Sequence, residues 1–204
     1  EEKETGRVEA FSDGVFAIAI TLLVLNLHVP AAAQVTAGLS LAAILQRQWP
    51  AFLAFTISFA TILIMWTNHH KLFMQIRKID HWFLVFNGVL LFFVTFIPYP
   101  TALLAEHIRS KGAVTAAAVY SGSYFLIAVA FNLVWRYAAN GERLLKRPVD
   151  REMVRRINRD YAFGPGLYFV SFALAFVSVT LSVTACSLLA CFYALPGRPQ
   201  TSRA

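Results

Sequence analysis

Long apolar segments, separated by short polar connections, recur from one end of the chain to the other. A helix needs roughly 20 apolar residues to cross a lipid bilayer, so 204 residues leave room for about six such helices with short loops. Only 14% of the residues are charged, against about 25% in soluble domains. We therefore predict an all-α membrane protein, a single domain of six transmembrane helices over residues 1–204. The expected spans are 8–29, 50–70, 80–104, 113–136, 163–179 and 182–195, with a basic connection at 137–161.

The first and last apolar segments need separate interpretation. Residues 1–5 are acidic and polar, and the apolar run that follows is too long for the core of a signal peptide. We expect that run to be retained as the first helix. The last apolar block, residues 162–195, contains no charged residue. It is too long for one span and barely long enough for two, which favours two short helices joined by a tight turn near residues 180–183.

Basic residues gather on one side of the predicted bundle. If both termini share a side, fifteen of the eighteen Lys and Arg residues lie there, and only Arg47, Arg109 and Lys111 lie on the other. Short cytoplasmic loops of membrane proteins collect basic residues. We therefore expect a multi-pass protein of the plasma membrane with both termini in the cytoplasm. The same distribution explains the net charge of +7 without a nucleic-acid partner.

A polar cluster opens the first apolar segment, in the sequence Arg7-Val8-Glu9-Ala10-Phe11-Ser12-Asp13-Gly14. Carboxylates inside membrane helices are costly and usually face the protein interior or a water-filled path. Asp13 can be explained as a paired carboxylate near a helix end, but together with Ser12 it indicates a buried hydrogen-bond network. The candidate partners come from the second and third spans, where these reach the same side: Trp66, Asn68, His69, His70, Asp80 and Asn87.

One face of the first helix is apolar. At 100° per residue, an apolar stripe forms with Thr21 at its edge. The stripe consists of Phe11, Gly14, Ile18, Leu22 and Leu25. Asp13 lies about 140° from Ile18 on the same wheel and therefore points toward neighbouring helices of its own subunit. Spacing alone gives such a stripe two ordinary explanations, contact with lipid or packing between helices.

The sequence offers no metal, cofactor or enzyme signature. His69 and His70 are adjacent on a helix, so their side chains point about 100° apart and form a poor metal-binding pair. Cys186 and Cys191 lie in an apolar segment without polar partners, and we interpret them as small apolar residues. There is no glycine-rich nucleotide loop and no supported Ser-His-Asp arrangement. We expect no enzymatic activity, no cofactor and no resident metal.

The opening motif Arg7-x-x-x-Phe11-Ser12-Asp13-Gly14, at the start of a six-span unit, resembles the transmembrane protein 175 family of potassium channels. Further residues in the same order support the resemblance: Trp66-x-x-His69-His70, Asp80, Asn87 and Pro98. A single six-helix unit is similar to the prokaryotic branch of the family and not to its two-repeat lysosomal branch.

The resemblance implies a homotetramer in which the first helix of each subunit lines a central pore for potassium ions. The chain has no Thr-Val-Gly-Tyr-Gly filter, and the narrowest point in the family is a ring of aliphatic side chains at the position of Ile18. The next apolar layers match Leu22 and Leu25, and a hydroxyl layer matches Thr21. The resemblance also implies that a set of residues holds the first helix against the second and third. That set is Arg7, Phe11, Ser12, Asp13, Gly14, Trp66, His69, His70, Asp80 and Asn87.

An aliphatic pore ring opens and closes by wetting and dewetting of a narrow neck. We expect modest selectivity for potassium over sodium, because potassium loses its water more easily and carbon supplies no ligands. The alternative is a secondary transporter or proton-leak pathway that uses the histidines and aspartates, although the two halves of the chain show no inverted repeat. A membrane enzyme or haem protein is a further, weaker alternative.

The basic stretch from Arg136 to Arg159 is not part of the predicted pore. Its ordinary explanation is a cytoplasmic, partly helical connection that faces anionic lipid headgroups. A regulatory lipid site is a less favoured interpretation of the same residues.

Overall fold

The computed structural model describes residues 2–32, 38 and 40–194. In chain order its helices are α1 (Glu2–Leu22), α2 (Leu41–Arg47), α3 (Trp49–Phe73), α4 (His81–Phe96), α5 (Pro98–His107), α6 (Ala113–Ala139), α7 (Arg151–Leu174) and α8 (Val179–Ala194). Short 3-10 helices follow α1 at Leu23–Asn26 and α6 at Asn140–Glu142. The described part of the chain is therefore a helical bundle, as the sequence predicts.

Four stretches are long and apolar enough to cross a membrane: Glu4–Asn26, Trp49–Phe73, His81–His107 and Ala113–Glu142. They coincide with the first four predicted spans. The third stretch combines α4 and α5, because the chain stays helical past Pro98, a residue that suits the first turn of a helix. The last apolar block of the sequence lies in the second part of α7 and in the shorter apolar helix α8. The fifth and sixth membrane crossings stay predictions.

Helix α7 begins at Arg151, well before the boundary near residue 163 that the sequence suggested. The cause is Asp150, whose carboxylate accepts the backbone N–H groups of Glu152 and Met153, each at 3.0 Å. Such a cap satisfies N–H groups that the start of a helix leaves unpaired. Part of the expected basic connection is therefore the first section of the helix that carries the next apolar segment.

Pro165 lies inside α7 and does not mark its beginning. A proline has no N–H for the carbonyl four residues earlier, which here is that of Tyr161. Asn132 of α6 supplies a donor instead, because its Nδ2 lies 2.6 Å from the Tyr161 oxygen. The Trp135 indole N–H donates to Asn158 at 2.6 Å. Two side-chain hydrogen bonds therefore join α6 to α7 beside the proline.

The core centres on α6, which carries the largest buried side chains, among them Tyr120, Tyr124 and Trp135. Ser58 of α3 lies 3.2 Å from the Tyr120 hydroxyl and 2.8 Å from the Thr101 hydroxyl of α5. This buried hydroxyl cluster joins three helices. Helix α1 packs on α3 and α4 and leaves its other side exposed.

The connection after α3 and the connection after α6 are joined to each other. An antiparallel bridge pairs Ile76 with Leu145, and backbone hydrogen bonds of 2.9 Å flank it. Ile76, Leu144 and Leu145 are buried, whereas Lys146 and Arg147 are exposed. The basic stretch is therefore fixed to the bundle by its apolar residues, while its charged side chains stay outside.

Candidate functional site on the first helix

Helix α1 has one buried face and one exposed face. Phe16, Ala19 and Leu23 are fully buried. The stripe predicted from the sequence is on the opposite side, where Ile18 is 57% exposed and Leu22 is 39% exposed. Phe16 lies about 160° from Ile18 around the helix. The aliphatic stripe therefore lies outside the core of the subunit.

The first helix tightens at its far end, since Leu23–Asn26 form a 3-10 helix. Three residues per turn align a side chain with the one three positions away. Leu25, which is exposed, is thereby aligned with Leu22 more closely than in the α-helix assumed from the sequence. Asn26 fixes this end, because its Nδ2 donates to the Pro98 carbonyl at 3.0 Å. Asn26 was not among the predicted site residues, although a polar residue ending an apolar helix is a usable signal.

Thr21 lies beside the stripe and is exposed. Its hydroxyl donates a hydrogen bond of 2.9 Å to the backbone carbonyl of Ile18. The hydroxyl proton of Thr21 is engaged in this hydrogen bond within the helix. The oxygen keeps lone pairs that can accept a hydrogen bond or contact a cation. An oxygen ligand is thus available within one turn of the aliphatic Ile18.

The polar residues of α1 face the other way, into the bundle. Ser12 is fully buried and donates to the Val8 carbonyl at 2.8 Å. Asn87 of α4 donates through Nδ2 to the Ser12 hydroxyl at 3.0 Å. At its Oδ1, Asn87 accepts from His69 Nε2 of α3 at 2.9 Å. These bonds form a buried network of Ser12, Asn87 and His69 that joins α1, α4 and α3.

The role of His69 follows from its neighbours. Because the Asn87 amide nitrogen is directed to Ser12, its oxygen accepts, and His69 carries a proton on Nε2. The other ring nitrogen, Nδ1, is buried and has no partner among the described residues. The ring packs between Phe16 and Phe73, whose ring centres lie 5.2 and 4.5 Å away. His69 therefore holds α1 directly by packing on Phe16 and indirectly through Asn87, which bonds to Ser12.

A second set of bonds joins α1 to α3. The Trp66 indole N–H donates to the Asp13 carboxylate at 2.8 Å. The Trp66 ring stacks on His70, and His70 Nδ1 lies 2.9 Å from the Glu9 carboxylate. Both adjacent histidines thus contact α1, one inside the bundle and one at its exposed edge, a distinction that residue spacing left open.

Asp80 lies apart from this network, which corrects its assignment as an anchor of the first helix. Its carboxylate accepts from the Phe83 N–H at 2.9 Å and from the Tyr137 hydroxyl at 2.8 Å. Arg143 lies 3.3 Å away. Partial burial raises the pKa of Asp80, but the two hydrogen bonds and the Arg143 charge outweigh it and hold the pKa below its ordinary value. Asp80 links α4 to α6 and to the connection after it.

Arg7, Phe11 and Gly14 also lie outside the network. All three are exposed, and Phe11 is 67% exposed. Arg7 forms no ion pair with any side chain that the structure describes. Within one subunit none of the three takes part in the hydrogen bonds described above, and their role in holding α1 stays a prediction. Arg7 and Phe11 instead line a surface groove between α1 and α4.

The site offers an exposed aliphatic face with a neighbouring hydroxyl, held from behind by polar and aromatic residues. Among the described residues, no group of three or more His, Cys, Asp or Glu side chains forms a metal site. Cys186 is buried, Cys191 is exposed, and both are free thiols.

The chain is similar to known membrane proteins. Residues 7–98 match the family described as the endosomal/lysosomal potassium channel TMEM175. A potassium channel of Chamaesiphon minutus is 52% identical over 96% of each chain. A potassium channel of Streptomyces collinus is 41% identical over 98% of this chain and 96% of its own. The crystal structure of a lysosomal potassium-selective channel TMEM175 homolog from Chamaesiphon minutus matches with a TM-score of 0.86 at 52% identity, covering 95% of this chain and 97% of that one.

Proposed function

The chain belongs to the TMEM175 family, and from this premise we propose that it is a potassium channel in which four copies surround a pore lined by α1. The relatives named above carry the description of potassium channels. The observation in this chain that carries the proposal is the exposed aliphatic face of α1, which holds Ile18, Leu22 and Leu25 outside the core. The opposite face of the same helix is packed and hydrogen-bonded, so only the aliphatic side is free to line a pore.

Contact with lipid alone does not account well for the exposed side of α1. Arg7 lies about 20° from Ile18 around the helix, and Thr21 borders the stripe. Arg7 lies just before the predicted span, at its headgroup end, whereas Thr21 lies within the span, where polar groups usually face a protein interior or a water-filled cavity. A homotetramer turns this side toward a central aqueous path, which is the arrangement that we propose.

Ile18 forms the narrowest ring of the proposed pore. Water leaves a narrow apolar neck and ions leave with it, so closely approaching aliphatic side chains close the path. When the ring widens, a potassium ion passes after losing part of its water shell, which it loses more readily than sodium does. Carbon supplies no replacement ligands, so the preference for potassium is modest. The Thr21 oxygens, within one turn of Ile18, replace a few of the lost waters.

The buried side of α1 keeps the pore face directed at the axis. Each residue advances the helix by 100°, so a small rotation of α1 removes Ile18 from the path. Bonds from Ser12 and Asp13 to neighbouring helices fix the rotation near one end, and the bond from Asn26 fixes it at the other. The Asp13 carboxylate positions the helix and need not contact the ion.

The proposed setting is the plasma membrane, with both termini in the cytoplasm. The apolar part of α7 and helix α8 then form the fifth and sixth crossings. The basic connection lies on the cytoplasmic side, where positive charge in short loops is favoured.

A secondary transporter or proton-leak pathway remains the competing function. His69, its central candidate, is buried between Asn87 and aromatic rings and lies away from the exposed face of α1. Single-channel recording separates the two functions, since a carrier does not produce unitary currents of channel size.

Potassium and sodium flux into liposomes tests the proposed constriction. We expect the wild type to favour potassium and Ile18→Asn to conduct more with less preference. Leu126→Asn is the matched control, because Leu126 is an exposed aliphatic residue of α6 and not of α1; it should behave as the wild type does. An unchanged potassium preference in Ile18→Asn would contradict the assignment of Ile18 as the constriction. A wild type without potassium flux would contradict the assignment as a potassium channel.

A further inference from the structure

A surface groove lies where the end of α6 faces α4 and α7. Its volume is about 760 Å³. Side chains from all three helices line it: Phe86, Leu133, Arg136, Tyr137 and Asn158, with Asn140 just after α6. No described residue of α1 takes part, so the groove is separate from the proposed pore face.

The groove spans the depth at which a membrane changes from hydrocarbon to headgroups. Helix α6 has 27 residues, and at 1.5 Å per residue it is about 40 Å long. The hydrocarbon core is only about 30 Å thick, so the last turns of α6 extend into the headgroup layer. Leu133 is exposed and lies one turn before the exposed Arg136. The groove therefore runs from an apolar floor to a basic rim.

The rim of the groove carries hydrogen-bond donors. Arg136 forms no ion pair with any carboxylate that the structure describes. Asn158 accepts the Trp135 N–H at Oδ1, which leaves its Nδ2 group as a donor. Asn140 is exposed just after the end of α6. A guanidinium beside amide donors suits the oxygens of a phosphate group, because charge-assisted hydrogen bonds to such oxygens are strong.

Other arginines of the same stretch are already engaged. Arg143, Arg151 and Arg156 each lie 3.3–3.8 Å from a carboxylate. Residues 136–160 contain eight basic and four acidic side chains, so positive charge remains in excess. Arg136 brings part of that excess into the groove.

We propose that this groove binds an anionic phospholipid, with the lipid phosphate at Arg136 and an acyl chain along Leu133 and Phe86. The excess positive charge favours an anionic headgroup over a zwitterionic one. The apolar floor favours a lipid over soluble phosphate, because acyl-chain contact removes apolar surface from water. The site depends on membrane insertion of α6 and does not depend on which ion permeates.

Lipid retention by the purified full-length chain in detergent tests the proposal. Phosphatidylglycerol or phosphatidylcholine with identical acyl chains is added, and bound lipid is counted by native mass spectrometry. We expect phosphatidylglycerol to be preferred, and Arg136→Gln to weaken its binding about fivefold, the loss for one basic side chain near a headgroup layer. Arg47→Gln, an exposed arginine at the other end of the bundle, should leave binding unchanged. Equal losses in both variants, or none in Arg136→Gln, overturn the site.

Two further measurements test the acyl-chain contact and the role of charge separately. Leu133→Asn keeps every charge, so weaker phosphatidylglycerol binding supports acyl-chain contact, and unchanged binding overturns it. For the wild type, added salt should weaken the retention of phosphatidylglycerol and not that of phosphatidylcholine, because salt screens exposed charges. If the preference for phosphatidylglycerol over phosphatidylcholine does not change with salt concentration, charge does not have the proposed role.

Discussion

The Ser12 hydroxyl and the Asn87 amide nitrogen meet 3.0 Å apart across the contact between α1 and α4, and both side chains are buried. Ser12 also donates to the carbonyl of its own helix. Its hydroxyl therefore both donates and accepts within the protein. Ser12 and Asp13 of the opening motif hold the helix, and the aliphatic residues Ile18, Leu22 and Leu25 lie on the face turned outward.

Replacing Ser12 with Ala should lower the thermal stability of the protein in detergent. The Asn87 amide then loses its acceptor inside the bundle, and a buried unpaired donor costs about 1–3 kcal/mol. Thr56→Ala is the control, because Thr56 is exposed and its hydroxyl bonds to the Phe52 carbonyl of its own helix. A melting temperature for Ser12→Ala no lower than that of the control would contradict the anchoring role.

Trp66→Phe keeps an aromatic ring against His70 but removes the N–H that reaches Asp13. We expect a loss of stability of about 1.5–3 kcal/mol, the range for a hydrogen bond to a charged group. Trp82→Phe is the comparison, since Trp82 is 59% exposed. Thermal unfolding followed by intrinsic fluorescence measures both variants; similar losses in the two would speak against the Asp13 bond.

Thr21→Val removes one oxygen from the edge of the exposed face and keeps the shape of the side chain. Under the proposed mechanism, the preference for potassium over sodium decreases, because the permeating ion loses its nearest oxygen ligands. Thr21→Ser retains the oxygen and should keep most of the preference. Reversal potentials in mixed potassium and sodium solutions give the comparison, and equal preferences in the two variants would remove Thr21 from the mechanism.

Asp80 should make the stability of the protein depend on pH in the acidic range. Its folded-state pKa lies below the ordinary value of 3.8, so the ionised carboxylate stabilises the fold above that pH. The stabilisation is lost as the pH falls through the lowered folded-state pKa. Asp80→Asn should therefore be less stable than the wild type at neutral pH, with the difference shrinking as the pH falls below about 4. A difference that stays constant in melting experiments across this range would exclude a role for the charge.

The effects of substitutions at Asn132 and Pro165 on stability should be coupled. Asn132→Ala removes the donor that reaches the Tyr161 carbonyl and should destabilise the protein by about 1 kcal/mol or more. Pro165→Ala restores a backbone N–H for the same carbonyl. Asn132→Ala should therefore matter less when Pro165 is also replaced. A double-mutant cycle of unfolding free energies measures the coupling, and additive effects would show that the bond does not compensate for the proline.

The sequence predicts the first four spans and the two faces of α1, because both depend on simple periodicities. It does not predict which polar side chains meet. Asp80 and His69 were expected in one network, yet Asp80 bonds to Tyr137 whereas His69 bonds to Asn87. The choice depends on the rotation of α4 relative to α3 and α6. That rotation is set by the packing of buried side chains and has no local sequence pattern.

The start of α7 and its continuation through Pro165 also differ in what determines them: one depends on a local sequence signal and the other on a tertiary contact. The cap at Asp150 is a local signal, since Asp is a favoured residue at a helix start, so the start of α7 is encoded in its own sequence. The continuation of α7 through Pro165 depends on Asn132, a residue of another helix. No property of the α7 sequence alone reveals that partner.

Phe16 stands almost directly behind Ile18, and its ring packs on His69 with the ring centres 5.2 Å apart. In the proposed tetramer, the bulk between α1 and α3 decides how far each first helix stands from the central axis. The pore radius then depends on buried residues on the side of α1 away from the pore. A smaller side chain at Phe16 would let α1 move away from the axis, and a bulkier side chain at Ala19 would push it toward the axis. Residues that no ion touches can therefore tune the conductance of the proposed pore.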